Sequence, residues 1–79
     1  MQQHYELRPT REQNQASFYG KAIVYVDDDG TETLYSYGTP IISKKPSGVL
    51  RRLWFSYSNT TGKHIKAFCG LNKDEFESL

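Results

Sequence analysis

The clearest pattern in the chain has a period of two and runs from Ser17 to Val26. In a strand it places Phe18, Gly20, Ala22, Val24 and Val26 on one face, and Tyr19, Lys21, Ile23 and Tyr25 on the other. A period of two is typical of a β-strand, and the β-branched and aromatic residues in this stretch favour strand over helix. The sequence Asp27–Gly30 then supplies a turn, because aspartate and glycine tolerate a positive φ. We therefore predict an antiparallel hairpin with strands near 18–27 and 31–37.

Further turn signals divide the next part of the chain. Pro40 interrupts the pattern, 41–45 resumes it, and the Pro-Ser-Gly sequence at 46–48 is a second turn. The segment 49–57, rich in Leu, Trp, Phe and Tyr, is then predicted to be a third long strand. Residues 1–16 are polar and are predicted to form an extended N-terminal arm, in which 4–8 is a candidate edge strand, before a single α+β domain at 17–79.

The pattern changes to a helical period after residue 57. A helix is predicted to begin between Ser58 and Thr61 and to end before Gly70. Asn72 followed by Glu75 is typical of a capping box and predicts a short terminal helical turn. The apolar helix face is predicted to comprise Thr61, Ile65, Phe68 and Cys69, and Leu71 and Phe76 are predicted to pin the terminal turn to the core. The predicted fold is α+β: a twisted antiparallel meander of three to four strands with one C-terminal helix packed on one face.

Length and cysteine content restrict the class of protein. The chain has 79 residues and one cysteine, Cys69, which cannot form an internal disulfide. So short a chain leaves little room for a deep substrate pocket. No signal-peptide pattern and no apolar run long enough to span a bilayer is present, so we expect a cytoplasmic protein without a membrane partner.

The sequence contains no spacing typical of catalysis or metal binding. His4, His64 and Cys69 do not match a zinc pattern, and three consecutive aspartates in a tight turn cannot converge on one cation. His64 is predicted to be structural, bonded to the strand edge or a tyrosine hydroxyl, and Cys69 is predicted to be a small core residue. We therefore expect no catalytic residue, no metal, no cofactor and no enzymatic activity.

Charge is distributed unevenly. Residues 17–35 carry a net charge of −3, residues 36–66 carry +6 with no acid, and residues 67–79 carry −2. This basic segment, 36–66, predicts a positive face for a polyanion or an acidic protein surface. An alternative stays open, in which the acidic turn and the acidic tail fold back on the segment as salt bridges. The cations of the segment are Lys44, Lys45, Arg51, Arg52, Lys63 and Lys66.

Aromatic residues are the second candidate feature. A sheet covered by one helix leaves one face open, so some of the rings on the predicted strands must face outward. The predicted aromatic surface comprises Tyr19, Tyr25, Tyr35, Tyr37 and Trp54. Of the two adjacent arginines, Arg52 is predicted to lie near this surface because it shares a strand face with Leu50 and Trp54. The alternative is that the rings fill a minor core under the N-terminal arm, and an exposed sheet face or edge also allows a homodimer.

Several segments together resemble a known group of proteins. The order LRPT, SFYGKA, LYSYGTP, RLW and SYSNTTGKHIKAF is similar to a family of small uncharacterised proteins of phages and mobile elements of Gram-positive bacteria, with the pattern SFYxKA, SYxT and SATTxxHIxxF. Asn59 stands where that pattern has alanine. The resemblance implies a phage-type accessory protein that works in the bacterial host cytoplasm.

These features support two functional hypotheses. In the first, the aromatic and basic residues bind a host protein, such as a defence nuclease, and inhibit or modulate it. In the second, the rings stack bases and the cations contact phosphates of single-stranded nucleic acid. A sequence pI of about 7.9 favours the first.

Overall fold

The computed structural model describes residues 3–10, 13, 18 and 20–79. These residues form one sheet of five antiparallel strands whose spatial order equals their order in the sequence, followed by two short helices. The strands are β1 (Gln3–Glu6), β2 (Ala22–Val26), β3 (Glu32–Ser36), β4 (Thr39–Lys44) and β5 (Leu50–Arg52), and the helices are α1 (Asn59–Cys69) and α2 (Lys73–Glu77). The α+β class and the antiparallel meander are confirmed. The sheet has five strands rather than the three to four predicted, and two helices follow it rather than one.

The hairpin around the aspartates is confirmed. β2 pairs antiparallel with β3, with Val24 opposite Leu34. The turn closes through the Asp27 amide, which donates to the Thr31 carbonyl at 2.9 Å, and Gly30 takes a φ of 89°. The first strand is shorter than predicted because the chain makes a turn at Phe18, whose carbonyl accepts from the Lys21 amide at 3.0 Å.

The two edge strands differ from the sequence prediction. β1 pairs with β2 and covers Gln3–Glu6 rather than 4–8. β5 has three residues rather than the nine predicted for 49–57. It ends early because the amides of Leu53 and Trp54 both donate to the Ile41 carbonyl, at 2.8 and 3.2 Å, which breaks the one-to-one pairing of a ladder.

The helices cover one face of the sheet and bury its core. Val24, Leu34 and Ile42 face one another in register across β2, β3 and β4, and each is fully buried. Ile65 of α1 packs on this layer. The buried hydrophobic residues are Leu7, Phe18, Ala22, Val24, Leu34, Ile41, Ile42, Ile65, Phe68 and Phe76.

Both helices begin and end as their capping residues predict. The Ser58 side chain accepts from the Thr61 amide, and Gly70 closes α1 in the left-handed region with a φ of 79°. Asn72 and Glu75 form a reciprocal capping box, so the terminal segment is a helix of its own, pinned by the fully buried Phe76. Neither described helix is both long and apolar enough to cross a bilayer.

Candidate functional site

Two of the predicted aromatic residues share the open face of the sheet. Tyr25 and Tyr35 lie in contact, with ring centroids 4.8 Å apart, and His4 of β1 lies 5.4 Å from Tyr25. Both tyrosines are half-buried. This row gives the open face an aromatic centre, but its rings already cover one another.

The other predicted rings lie elsewhere. Tyr37 occupies the β3–β4 turn with a φ of 52°, and its ring lies 5.9 Å from that of His64 on the helix side. Trp54 lies beyond the end of β5 and is 45% exposed. Tyr19 lies outside the described residues. The four rings that the structure describes therefore do not form one surface as predicted, because only Tyr25 and Tyr35 lie on the open face of the sheet.

The arginine prediction was wrong, since Arg51 rather than Arg52 shares the open face with the tyrosines. Arg52 is opposite the buried Ile42, so it lies on the helix side. Its guanidinium carbon lies 4.8 Å from the Phe55 ring centroid, and its Nη1 donates to the Glu77 carbonyl at 3.0 Å. Arg51 is opposite Ser43 on the other face and is exposed.

The remaining cations of the basic segment are dispersed. Lys44 lies on the helix side, with its Nζ 5.1 Å from the Phe68 ring centroid. Lys45 is exposed at the β4–β5 turn, whereas Lys63 and Lys66 are exposed on α1. The six cations thus point to different parts of the molecule.

The acidic turn does approach the basic segment. A side chain at Gly30 would come within 2.9 Å of Pro46, so the β2–β3 turn lies beside the β4–β5 turn. The pKa of the Asp29 carboxyl is lowered, first by hydrogen bonds from Thr31 and to a smaller extent by the charge of Lys45. The acidic turn therefore lies beside the first turn of the basic segment, as the alternative interpretation predicted.

Exposed apolar side chains lie just before and just after β5 in the chain. Val49 is 58% exposed, Trp54 45% and Phe55 77%. These are three of the six large hydrophobic residues that are exposed in the described part of the chain, and they fall within seven positions. We use the name β5 surface for these three residues, which flank the edge strand in the chain, together with the exposed Arg51 of β5 itself. Sequence reasoning missed Val49 and Phe55 because it assigned both to a strand, although the run Leu53–Phe55 signals an excess of apolar side chains at one place.

A groove lies along the outer side of α1. Its volume is about 580 Å³, which exceeds what the chain length led us to expect. It is lined by Gln13, Tyr57, Asn59, Gly62, Lys63, Lys66, Leu71 and Asn72. Two predicted site residues, Lys63 and Lys66, are therefore brought together here, away from the β5 surface.

Tyr57, one of the residues that line the groove, lies against Gly62. A methyl group at position 62 would overlap the Tyr57 hydroxyl and ring, so glycine permits the close approach. The Tyr57 ring also lies 6.1 Å from that of the buried Phe76. Tyr57 thus packs between α1 and α2.

Gly62→Ala is expected to give no stabilisation, although alanine usually favours a helix over glycine by about 1 kcal/mol. The new methyl group forces the Tyr57 ring to move, and this cost offsets the gain. In a Tyr57→Ala background the same change should stabilise the protein by about 1 kcal/mol. Urea denaturation of the four proteins measures the difference, and an equal effect in both backgrounds contradicts the contact.

Ser36 and His64 are the closest approach to a chemical dyad. Ser36 Oγ lies 2.8 Å from His64 Nδ1, and Thr61 Oγ1 lies 3.4 Å from the same Ser36 oxygen. His64 is 1% exposed, and burial lowers the pKa of its imidazole. The structural role predicted for His64 fits this geometry, but its partner is a serine of the central strand rather than a strand edge or a tyrosine.

The other residues considered for chemistry are not brought to this pair. Cys69 Sγ donates to the Ile65 carbonyl at 3.4 Å, and burial raises the pKa of its thiol. Within the described ranges, no group of three His, Cys, Asp or Glu side chains is placed to hold a metal ion.

Comparison with known proteins identifies the family. A family of unknown function, DUF8033, matches residues 5–78. The chain belongs to this family. The DUF8033 match runs from within β1 to the end of α2, so it includes both the β5 surface and the groove. No curated protein matches the chain, and no solved structure matches it.

Proposed function

We propose that this DUF8033 protein is a non-catalytic accessory protein that binds a host protein through the β5 surface and inhibits or modulates it. The observation that carries the proposal is the exposure of Val49, Trp54 and Phe55 around an edge strand. The resemblance to phage and mobile-element proteins supports a bacterial host and its cytoplasm as the setting.

Exposed aromatic side chains can contribute a large part of the free energy of binding to a protein partner. Trp and Arg are enriched among the residues that dominate interface energies, and an aromatic side chain can bury roughly 150–250 Å². Phe55 is held in place from one side by Arg52, whose guanidinium lies 4.8 Å from its ring. A ring that is positioned before binding loses less entropy when a partner covers it.

Charge complementarity suggests the chemistry of the partner. No Asp or Glu occurs between Glu32 and Asp74, so β4, β5 and the turn between them contribute only positive charge, whereas the acidic β2–β3 turn lies beside the β4–β5 turn. Arg51 is exposed in β5, on the face opposite Arg52. The proposed partner therefore presents an apolar patch bordered by carboxylates.

A second copy of the chain fits this edge less well than a different protein. In a two-fold antiparallel pairing of β5 centred on Arg51, the two copies of that residue would lie directly opposite each other. Like charges in directly opposed positions are destabilising. We therefore propose a partner of another sequence for the β5 surface.

The proposal of a non-catalytic role rests on the burial of the Ser36–His64 pair. Both side chains are at most 3% exposed, and the Phe18 ring lies 4.5 Å from that of His64. A nucleophile and base in this position have no free path to a substrate. We propose that the pair holds α1 on the sheet.

The nucleic-acid hypothesis is less well supported by the arrangement of the cations. Lys44 and Arg52 lie against Phe68 and Phe76, and Lys63 and Lys66 lie on the outer side of α1. A single strand needs cations along one path beside stacking rings. Nucleic-acid binding is therefore the competing outcome of the binding experiment.

The test begins with capture of partners from host lysate by the tagged protein, with and without nuclease. Proteins whose recovery survives nuclease treatment are purified and their affinity is measured directly. Recovery that disappears with nuclease contradicts the proposal and supports nucleic-acid binding.

Phe55→Ala and Trp54→Ala are expected to weaken binding of the purified partner by about 30-fold each, which corresponds to about 2 kcal/mol. Arg51→Ala should have a smaller, salt-dependent effect. Tyr5→Ala is the matched control, because Tyr5 is also 45% exposed but lies at the opposite edge of the sheet. Equal losses for Tyr5→Ala and Trp54→Ala contradict the assignment of the β5 surface.

A further inference from the structure

The groove on α1 has the dimensions of a small-molecule site. Its volume of about 580 Å³ falls within the range of roughly 300–1,000 Å³ that is common for ligand sites. It is bounded by Tyr57 before α1 and by Leu71 and Asn72 after it. None of its lining residues belongs to the β5 surface, so the two sites can be altered by different substitutions.

The charge of the groove is entirely positive in the part of the chain that the structure describes. Lys63 and Lys66 are its charged lining residues, and no carboxylate of the described residues lines it. They stand three positions apart on one helix, so their Cβ atoms are neighbours at about 5–6 Å. Two ammonium groups at this spacing can reach the same anionic group.

The polar lining supplies donors and few acceptors. The Asn72 Oδ1 already accepts from the Glu75 amide at 2.8 Å, which leaves its NH₂ group to donate. Gln13 is also engaged, since its Oε1 accepts from the Thr10 amide and its Nε2 donates to the Lys63 carbonyl. A donor-rich, positively charged groove matches a ligand with several acceptor oxygens on one centre, as in a phosphate group.

The remaining lining is apolar and aromatic. Leu71 and Tyr57 are half-buried lining residues. The Tyr57 ring is held by contacts with Gly62 and Phe76. These side chains can contact a flat organic group that extends from the phosphate.

We propose that the groove between Tyr57, Lys63, Lys66 and Asn72 binds a small phosphate monoester that carries a flat organic group, of the size of a nucleoside monophosphate. Lys63 and Lys66 bind the phosphate, the Asn72 amide donates to its oxygens, and Tyr57 and Leu71 contact the organic part.

The direct test is a two-dimensional NMR titration of the ¹⁵N-labelled full chain with AMP, adenosine and inorganic phosphate. AMP is expected to shift amide signals of residues 57–72 saturably and to bind at least about tenfold more tightly than adenosine, because only AMP engages both lysines. Inorganic phosphate should bind more weakly than AMP. Equal binding of AMP and adenosine, equal binding of AMP and phosphate, or no saturable shift with AMP overturns the proposal.

Matched variants separate this site from the β5 surface. Lys63→Ala/Lys66→Ala is expected to lower AMP affinity by at least about tenfold, since both side chains are exposed and their loss leaves the core unchanged. Lys45→Ala/Arg51→Ala removes the same charge elsewhere and should leave AMP affinity unchanged. An equal loss in both double variants shows a diffuse charge effect and refutes the site. Phe55→Ala should weaken partner binding and leave AMP affinity unchanged. The two proposals can therefore fail separately, because each is measured with its own ligand.

Discussion

Replacing Phe76 with alanine is expected to lower the free energy of unfolding by about 3–5 kcal/mol. Phe76 is fully buried although it belongs to a helix of only five residues. An isolated helix of this length does not persist in water, so α2 is held by its capping box and by this one ring. The Phe76 ring also lies 6.1 Å from the Tyr57 ring and 5.7 Å from the Arg52 guanidinium. Its removal should therefore loosen α2 and the packing of both side chains.

Urea denaturation followed by circular dichroism measures this loss. Leu79→Ala serves as the control, because Leu79 is 44% exposed and its truncation should cost well under about 1 kcal/mol. Phe76→Leu keeps the site apolar and should cost less than the alanine change, so it gives a measurable value if the alanine variant unfolds. A cost for Phe76→Ala equal to that for Leu79→Ala contradicts the role of the ring as an anchor.

Ser36→Ala is expected to cost about 1–3 kcal/mol, because it leaves the buried His64 Nδ1 without its partner at 2.8 Å. Replacing both members, with Ser36→Ala and His64→Leu together, should cost less than the sum of the two single changes. The double variant removes both polar atoms of the Ser36–His64 bond, so among the described residues only Thr61 Oγ1, 3.4 Å from Ser36 Oγ, loses a partner. A strictly additive double variant contradicts the hydrogen bond as the source of the effect.

The same pair predicts how stability depends on pH. Burial holds the pKa of His64 below its value of about 6.5 in the unfolded chain. The unfolded state therefore binds a proton first, so His64 contributes its full stability above about pH 6.5 and loses it as the pH falls towards the folded pKa. The slope is expected to reach at most about 1.4 kcal/mol per pH unit.

Denaturation between about pH 8 and pH 5 measures this dependence. The Ser36→Ala/His64→Leu variant should lose the His64 component, whereas His4→Ala should keep it, because His4 is exposed on β1. Lys21 also lies on this side, with its Nζ 5.9 Å from the Tyr37 ring, whose centroid is 5.9 Å from that of His64. A parent protein whose stability does not change between about pH 6.5 and pH 5 contradicts the buried neutral histidine.

The parts of the fold that the sequence predicted correctly are those encoded by neighbouring residues. The β2–β3 hairpin follows from alternation on both sides of an aspartate–glycine turn. The start of α1 follows from Ser58 as its cap, and the start of α2 from the Asn72–Glu75 capping box. Each of these signals involves residues fewer than about ten positions apart, so the interactions that stabilise the element can be inferred from one short stretch of sequence.

The ends of the strands, and the sheet face on which each side chain lies, could not be predicted from short stretches of sequence. Period two assigned Arg52 and Trp54 to one face, but β5 ends between them because two amides share the Ile41 carbonyl. The apolar helix face was predicted without His64, which is buried through its bond to Ser36, a residue 28 positions away. Alternation predicts only relative orientation, whereas the length of a strand depends on a partner strand elsewhere in the chain.

The sequence by itself determined the α+β class, the order of the elements and the excess of positive charge between residues 36 and 66. Only the tertiary structure decided where that charge lies: Lys44 and Arg52 over buried rings, Arg51 on the open face, and Lys63 with Lys66 in a groove. Charge can be counted along a chain, but its effect depends on distances in space that are set by packing. The tertiary structure also decided the exposure of Phe55 and the groove beside Tyr57. Phe55 is exposed where the chain leaves the sheet, and the groove forms where α2 returns to the core.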